Sequence, residues 1–390
     1  MWIALWWLFA GCGGATADLG DDPAKDTSLV ETDTAAGGGT DTPATTDTPT
    51  DTPTDTPTDT PADTPVDSAP VDPPTPARPC GALDDHNGTV VPDLPAIPSP
   101  GAFVGDPNLD GAWGVTTHTD TVANPTAGRG AIETTTWLPS VDGVPADGPF
   151  PLVVMMPGFG ASRTGYPHFT RHLATHGFVV VGLDFPNSGF TDPAAHDLKA
   201  LEAQAVLDWA VGSGPDTARI DAARVAAIGH SLGGKISFYL AAIDDRVDMV
   251  VGWDPQNSGG PPCALGGVTG ASCNDFPVAP NCSAQESGIL WQMHAESLTF
   301  ATEDNLITPD DHLRARHFYR GAPSAAHYVH FGSASHAAWI SDGQDSAITR
   351  TVHTAWLLTR LQGYTGLEDY LPGTGTWLNR KPRVDDHRTK

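Results

Sequence analysis

The five residues Gly229-His230-Ser231-Leu232-Gly233 set one hydroxyl between small neighbours, where an apolar run meets a helix-like pattern. This G-x-S-x-G spacing belongs to a strand–turn–helix corner that displays a serine on a strained backbone, so both flanking positions must lack bulk. A helix start under Ser231 would also place partial positive charge where an oxyanion forms. A serine hydroxyl is a poor nucleophile by itself. It needs a base, and the base needs an acid to orient it. The competing reading is a Gly-rich structural turn, so the partners must decide.

With this motif the chain order is serine, acid, histidine. After Ser231 come His294, His312, His317, His327, His330, His336, His353 and His387. His336, in "FGSASHAAW", stands just past a predicted strand where loops converge, and it is the candidate base. His327 and His330 fall inside that strand, and His312 and His317 on the preceding predicted helix, so these four read as packing or surface residues. Two acids remain open: Asp254 in "VVGWDPQN" ends the strand after the Ser231 helix, and Asp304 in "ATEDNLITP" follows the next strand. Asp244, Asp245 and Asp248 precede a strand and read as solvated. His168, His172 and His176 share a helix face at i, i+4, i+8, for which surface or capping roles are preferred over a metal site. The glycines of "PGFG" are not a phosphate cradle, since no Lys-Ser/Thr follows. The chemistry requires no cofactor and no metal.

These residues need a frame. "GAWGVTTHTDTV" and "GAIETTTWLP" predict an antiparallel hairpin. "PFPLVVMMPG", "FVVVGLDF", "RVAAIG", "VDMVVGWD", "GILWQMHA" and "AHYVHFG" predict strands, mostly of the kind buried on both faces. Between them, "YPHFTRHLATHG", "LGGKISFYLAAI", "DDHLRARHFY" and "SAITRTVHTAWLLTRL" predict helices, and "AAHDLKALEAQAVLDWAV" a long amphipathic one. The alternation implies an α/β fold, with a mostly parallel central sheet, helices on both faces and right-handed connections.

The rest of the 390-residue chain has a different composition. From Gly13 to Pro79 there is no Phe, Trp or Tyr, and the centre repeats "DTPTDTPTDTPTDTP". Such a stretch cannot bury enough apolar surface to offset its chain entropy, so residues 13–79 read as a disordered linker. At about 3.1 Å per residue, its Pro-rich chain could reach on the order of 200 Å. It carries thirteen Asp and one Glu against one Lys and one Arg, a share of about −12 in the net charge of −27. The remaining part, 80–390, is still acidic. Nucleic acid is therefore not an expected partner, because phosphate binding needs clustered Lys and Arg.

The opening "MWIALWWLFAGCGG" is too short to span a bilayer. It resembles a bacterial lipoprotein signal, residues 1–12, with Cys12 as the lipidated residue. That resemblance implies an extracytoplasmic protein tethered to the membrane by an N-terminal lipid anchor; the alternative is an ordinary secretory signal. Cys80, Cys263, Cys273 and Cys282 then suggest two disulfides with three possible pairings. The nine- and eight-residue gaps are too wide for ordinary zinc knuckles. The last three cysteines mark an insertion at about 257–287.

From about Phe150 to Ile340 the chain resembles the α/β-hydrolase branch of chlorophyllases, secreted platelet-activating-factor acetylhydrolases and bacterial polyester-degrading cutinases. The residues that carry the likeness are "MPGFGASRTGY", "HLATHGFVVVGLDF", "IGHSLGGKISF", "GWDP" and the His336 loop. It implies an α/β-hydrolase fold and a serine hydrolase acting on a lipid, polyester or small ester as a monomer. Ser231 would be nucleophile, His336 base, and the Phe159 and Leu232 N–H groups the oxyanion donors. For the acid, chlorophyllases and the acetylhydrolases correspond to Asp254 and the cutinases to Asp304; "GHSLGGK" with "GWDP" lies nearer the first group. Alternatives are a non-catalytic surface-tethered binding protein, or a peptidase or thioesterase of the same fold.

Overall fold

The computed structural model describes residues 97–186, 196–256, 290, 293–302, 315–322 and 325–390. The chain divides into two units, 1–72 and 73–390, and every described residue lies in the second. Cys12, Cys80, Cys263, Cys273, Cys282, Asp304 and His312, the linker 13–79 and the insertion at 257–287 lie outside the described residues.

Among the described residues the sheet has ten strands: β1 Gly114–Val122, β2 Ile132–Val141, β3 Val144–Pro145, β4 Phe150–Met156, β5 Val179–Leu183, β6 Ile220–His230, β7 Met249–Trp253, β8 Glu296–Thr302, β9 Ala326–Phe331 and β10 Val384–Thr389. Their spatial order is β1-β2-β5-β4-β6-β7-β8-β9-β10, with β3 beside β2. The six strands from β5 to β9 run parallel. Antiparallel neighbours, β2 and β10, flank this block at its two ends. The predicted hairpin is present as β1 and β2, which pair antiparallel.

Among the described residues, five helices cover the sheet: α1 Pro167–Thr175, α2 His196–Gly212, α3 Leu232–Ile243, α4 Arg316–Gly321 and α5 Gln344–Leu361. Strand periodicity divides the core in two. On β4, Leu152, Val154 and Met156 join the layer containing Ile236 and Leu240 of α3 and Val206 of α2. Val153 and Met155 point the other way, to Phe169 and Leu173 of α1 and Val352 and Trp356 of α5. Burying both faces explains why the central strands read as continuous apolar runs.

Three sequence expectations need correction. In the run "GILWQMHA" the described residues Leu290, Met293, His294 and Ala295 are not strand; Met293 N–H donates to the Leu290 carbonyl, both side chains are buried, and the strand is the following segment, Glu296–Thr302. That strand was hidden by its buried polar residues, among them Glu296, which pairs with His327 and Arg360. The second concerns α2, which is helical but not amphipathic: His196, Lys199 and Glu202 are buried, while Leu201 is 41% exposed. Its charges are paired rather than solvated, as in Arg129–Glu202 at 2.6 Å. The third concerns the aspartates before β7: Asp244 is buried beside Arg246, and Asp248 is half-buried and accepts from Val225 N–H at 2.8 Å, instead of both being solvated. Strand β10 was not anticipated, because "VDDHRT" is polar and pairs on one edge only.

Candidate active site

Strand β6 ends at His230 and α3 begins at Leu232, so Ser231 alone makes the corner, with φ 55° and ψ −118°. The flanking glycines are steric requirements. A Cβ on Gly229 would stand 2.4 Å from the Gly233 backbone, and one on Gly233 would stand 2.1 Å from the Met156 carbonyl oxygen. Among the described residues three non-glycines have positive φ: Asp142, Ser231 and Asp254. Two of them belong to this site. A backbone so strained persists only where its surroundings over-determine it. Here Ser231 N–H donates to the Trp253 carbonyl at 3.0 Å, and the Ser231 carbonyl accepts from Lys235 N–H and Gln256 N–H.

The structure brings Ser231, His336 and Asp254 together. His336 Nε2 lies 2.8 Å from Ser231 Oγ, and its Nδ1 lies 2.6 Å from Asp254 Oδ2. His336 opens a 3₁₀ turn after β9, and Asp254 follows the last residue of β7. Asp254 is only 2% exposed. Its carboxylate also accepts from Thr302 N–H at 3.2 Å and Thr302 Oγ at 3.0 Å. Three donors fix the direction of this buried carboxylate. Since Asp254 accepts, His336 Nδ1 carries the proton and Nε2 is free to accept one from the serine. The arrangement can therefore take up a proton from Ser231 as its oxygen attacks an electrophile.

Leu232 is the first residue of α3, and Phe159 sits in the Gly158–Ala161 turn, closed by Ala161 N–H to the Gly158 carbonyl at 3.0 Å. Arg163 anchors this loop from the far side: its N–H donates to Asp184 Oδ1 at 2.6 Å and its Nε to Thr135 Oγ1 at 2.9 Å.

Several other described histidines bond away from Ser231. His327 pairs with Glu296 at 2.7 Å and His330 with Asp385 at 2.5 Å. His387 meets Asn379, and His353 is fully buried. His172 and His176 are not surface residues. They bond the Pro107 and Leu109 carbonyls, and His168 bonds that of Trp339. Among the described residues no three His, Cys, Asp or Glu side chains could hold a metal ion. Two residues of the site went unnoticed in the sequence: Gln256, whose Nε2 donates to the Asp254 carbonyl at 3.2 Å, and Thr302. The only signal for Gln256 was its place directly after "GWDP".

A family model described as alpha/beta hydrolase fold matches residues 151–265. The fold is accordingly an α/β-hydrolase fold, with the mostly parallel sheet described above. The chain is similar to a bis(hydroxyethyl) terephthalate hydrolase of Streptomyces coelicolor, 36% identical over 89 residues, which is 23% of this chain and 27% of that protein. It is similar to cutinase est1 of Thermobifida alba, 32% identical over 92 residues, covering 23% of this chain and 30% of the cutinase. Esterase FrsA of Shigella boydii is 32% identical over 109 residues, 25% of this chain and 23% of the esterase. The chain thus spans under a third of the length of each of these relatives.

Proposed function

We propose that this protein is a serine hydrolase of carboxylic esters that works through an acyl-enzyme. The observation that carries the reading is the continuous line Ser231 Oγ, His336, Asp254, with contacts of 2.8 and 2.6 Å. Ser231 Oγ attacks the ester carbonyl and its proton passes to His336 Nε2. The tetrahedral oxyanion takes the N–H groups of Phe159 and Leu232, where losing one donor costs about 100- to 1000-fold in comparable enzymes. Collapse expels the alcohol, which receives the proton from His336. Water then attacks the acyl group with His336 as base, and Asp254 holds the ring throughout. The partial similarity to a cutinase, an esterase and a terephthalate-ester hydrolase supports carboxylic esters as substrates.

The decisive comparison is wild type against Ser231→Ala on p-nitrophenyl esters of graded chain length and on bis(hydroxyethyl) terephthalate. Turnover by the variant above about a thousandth of wild type would remove Ser231 from the chemistry. Faster wild-type turnover of acyl-CoA thioesters or peptides in parallel assays would replace the ester reading. Failure of a fluorophosphonate to label wild type would favour a binding protein instead. We further propose that the enzyme acts outside the cytoplasm, carried on the 13–79 linker from a lipidated Cys12. Mass spectrometry of the membrane fraction should find that modification. An unmodified N-terminus downstream of Cys12 would refute it.

A further inference from the structure

Behind Ser231 runs a line of buried groups that the proposed chemistry does not use. Gly158 N–H donates to Tyr166 Oη at 3.1 Å, and Tyr166 Oη lies 3.0 Å from His230 Nδ1. His230 Nε2 lies 2.9 Å from the backbone carbonyl of His336. Tyr166 is 0% exposed and His230 2%. The direction of every bond is forced. A carbonyl only accepts, so His230 Nε2 carries a proton. Burial, with His336 close by, lowers the His230 pKa to about 3, so the ring is neutral and Nδ1 accepts. Tyr166 must then donate its hydroxyl proton to Nδ1, and its oxygen accepts from Gly158. Burial raises the Tyr166 pKa, so the phenol stays protonated.

We propose that Tyr166 and His230 are positioning residues that hold the turn bearing the Phe159 N–H in register with the loop bearing His336. The proposal rests on the hydrolase reading above. One end of the line is the residue before Phe159, and the other is the backbone of His336 itself. The parts are in tight contact as well as bonded. A Cβ on Gly158 would stand 2.9 Å from His230 Nδ1 and 3.4 Å from Ser231 Cβ. Removing the Tyr166 hydroxyl leaves a buried N–H and a buried ring nitrogen without partners, and each relaxes towards a new one. Small shifts of an oxyanion donor relative to the base act on the transition state more than on the bound substrate, so kcat suffers more than KM.

The test uses full-length wild type, Tyr166→Phe, His230→Gln and the double variant, assayed on p-nitrophenyl butyrate. The glutamine keeps a donor for the His336 carbonyl but lacks the ring nitrogen that meets Tyr166. Turnover is expressed per site titrated with a fluorophosphonate, and Tm is measured beside it. Each single variant should lose about 10- to 100-fold in kcat per titrated site, with KM within about twofold. The double variant should be little worse than the poorer single one, because the two residues act as one unit. A purely structural role would lower Tm and the number of titratable sites while leaving kcat per site unchanged, which would overturn the proposal. Losses that multiply in the double variant would also overturn it. A second measurement does not depend on activity: ¹⁵N shifts of labelled histidines should show His230 neutral, protonated at Nε2, from pH 7 to about 4.5. A ring protonated at Nδ1 would sink the relay whatever the rates. Absence of Ser231-dependent turnover in wild type would sink the hydrolase reading and the positioning role with it, while the nitrogen shifts still report on the bonding line.

Discussion

Two groups of histidines pack against the same core layer and have opposite chemistry. His336, beside Ser231, meets a buried carboxylate through one nitrogen and a hydroxyl through the other. His168 and His172 on α1, and His176 just past its end, meet backbone carbonyls; the one carboxylate among their contacts, Asp110, faces His172 Nδ1 at 3.4 Å and is itself half exposed. His353, on α5, has no hydrogen-bond partner for either nitrogen among the described residues. A carbonyl fixes a ring but cannot exchange a proton with it. A carboxylate stabilises the charged ring, and a hydroxyl gives the ring a proton to take. Burial lowers the pKa of all four histidines of the second group. Those rings serve as neutral packing, and of the two regions the first alone has the contacts that the proposed chemistry needs.

The largest effect should come from removing the carboxylate that distinguishes His336. Asp254→Asn should lower kcat by about 10⁴ with little change in Tm, as in a well-studied serine protease where the wrong tautomer results. His172→Gln, which alters the second group, should leave kcat within about twofold. Asp304→Asn should change it by less than about tenfold. If Asp304→Asn has the larger effect, the acid sits one strand further on and Asp254 is structural. Equal small losses from both aspartates would mean that another group orients the ring.

Buried, neutral histidines should dominate the response to acid. His172 and His230 have folded pKa values of about 3, lowered by burial, against about 6.5 for the unfolded side chain. Between those values the unfolded state binds more protons, so the sign is fixed: stability falls as pH drops from about 6.5 towards 3. Each such ring contributes a slope of about 1.4 kcal/mol per pH unit. His196 and His353, lowered well below the usual value by burial, add to it. Asp248 opposes them, since burial raises its pKa to about 6 and the folded state gains its proton first as pH falls. One carboxyl against several rings should not reverse the trend. Chemical denaturation at pH 7, 6, 5 and 4 should show a steady loss, and a flat profile would mean that these rings are charged in the fold.

Local constraints made part of this readable from the chain. The two glycines around Ser231 are dictated within five residues, and a polar residue ending an apolar strand marked Asp254 as a candidate. His336 stood out because it was the histidine just past a strand, outside the regular elements. The Tyr166–His230 contact joins residues 64 apart, and the His230–His336 contact residues 106 apart. No local pattern reports such a meeting, so His230 passed as the variable position of its motif. Burial of charge was the other blind spot. Glu202 on α2 and Glu296 on β8 look like solvent-facing residues until Arg129, His327 and Arg360 arrive from distant segments. Pattern reading assumes that polar means outside, and it fails wherever ion pairs are buried.

The smallest expected effect tests the second group most directly. His353 lies against Phe169 and Trp253, with ring centroids at 5.3 and 5.7 Å, and is fully buried. With no partner among the described residues, each of its two nitrogens carries a desolvation cost of about 1–3 kcal/mol, smaller for the neutral ring than for a charged one. His353→Phe keeps a flat ring in the aromatic stack and removes both nitrogens. The variant should be more stable by about 1 kcal/mol, which for a domain of this size raises Tm by roughly 2–4 °C. Its acid slope should also flatten, because one ring no longer takes up a proton on unfolding. Ester turnover should be unchanged, since His353 touches none of Ser231, His336 and Asp254. A loss of stability would instead reveal a hydrogen bond made by His353, such as one to an ordered water shared with the equally buried Trp253 Nε1. A loss of turnover at unchanged stability would erase the contrast altogether, because the packing histidines would then be linked to the catalytic ones through Trp253, the residue next to Asp254.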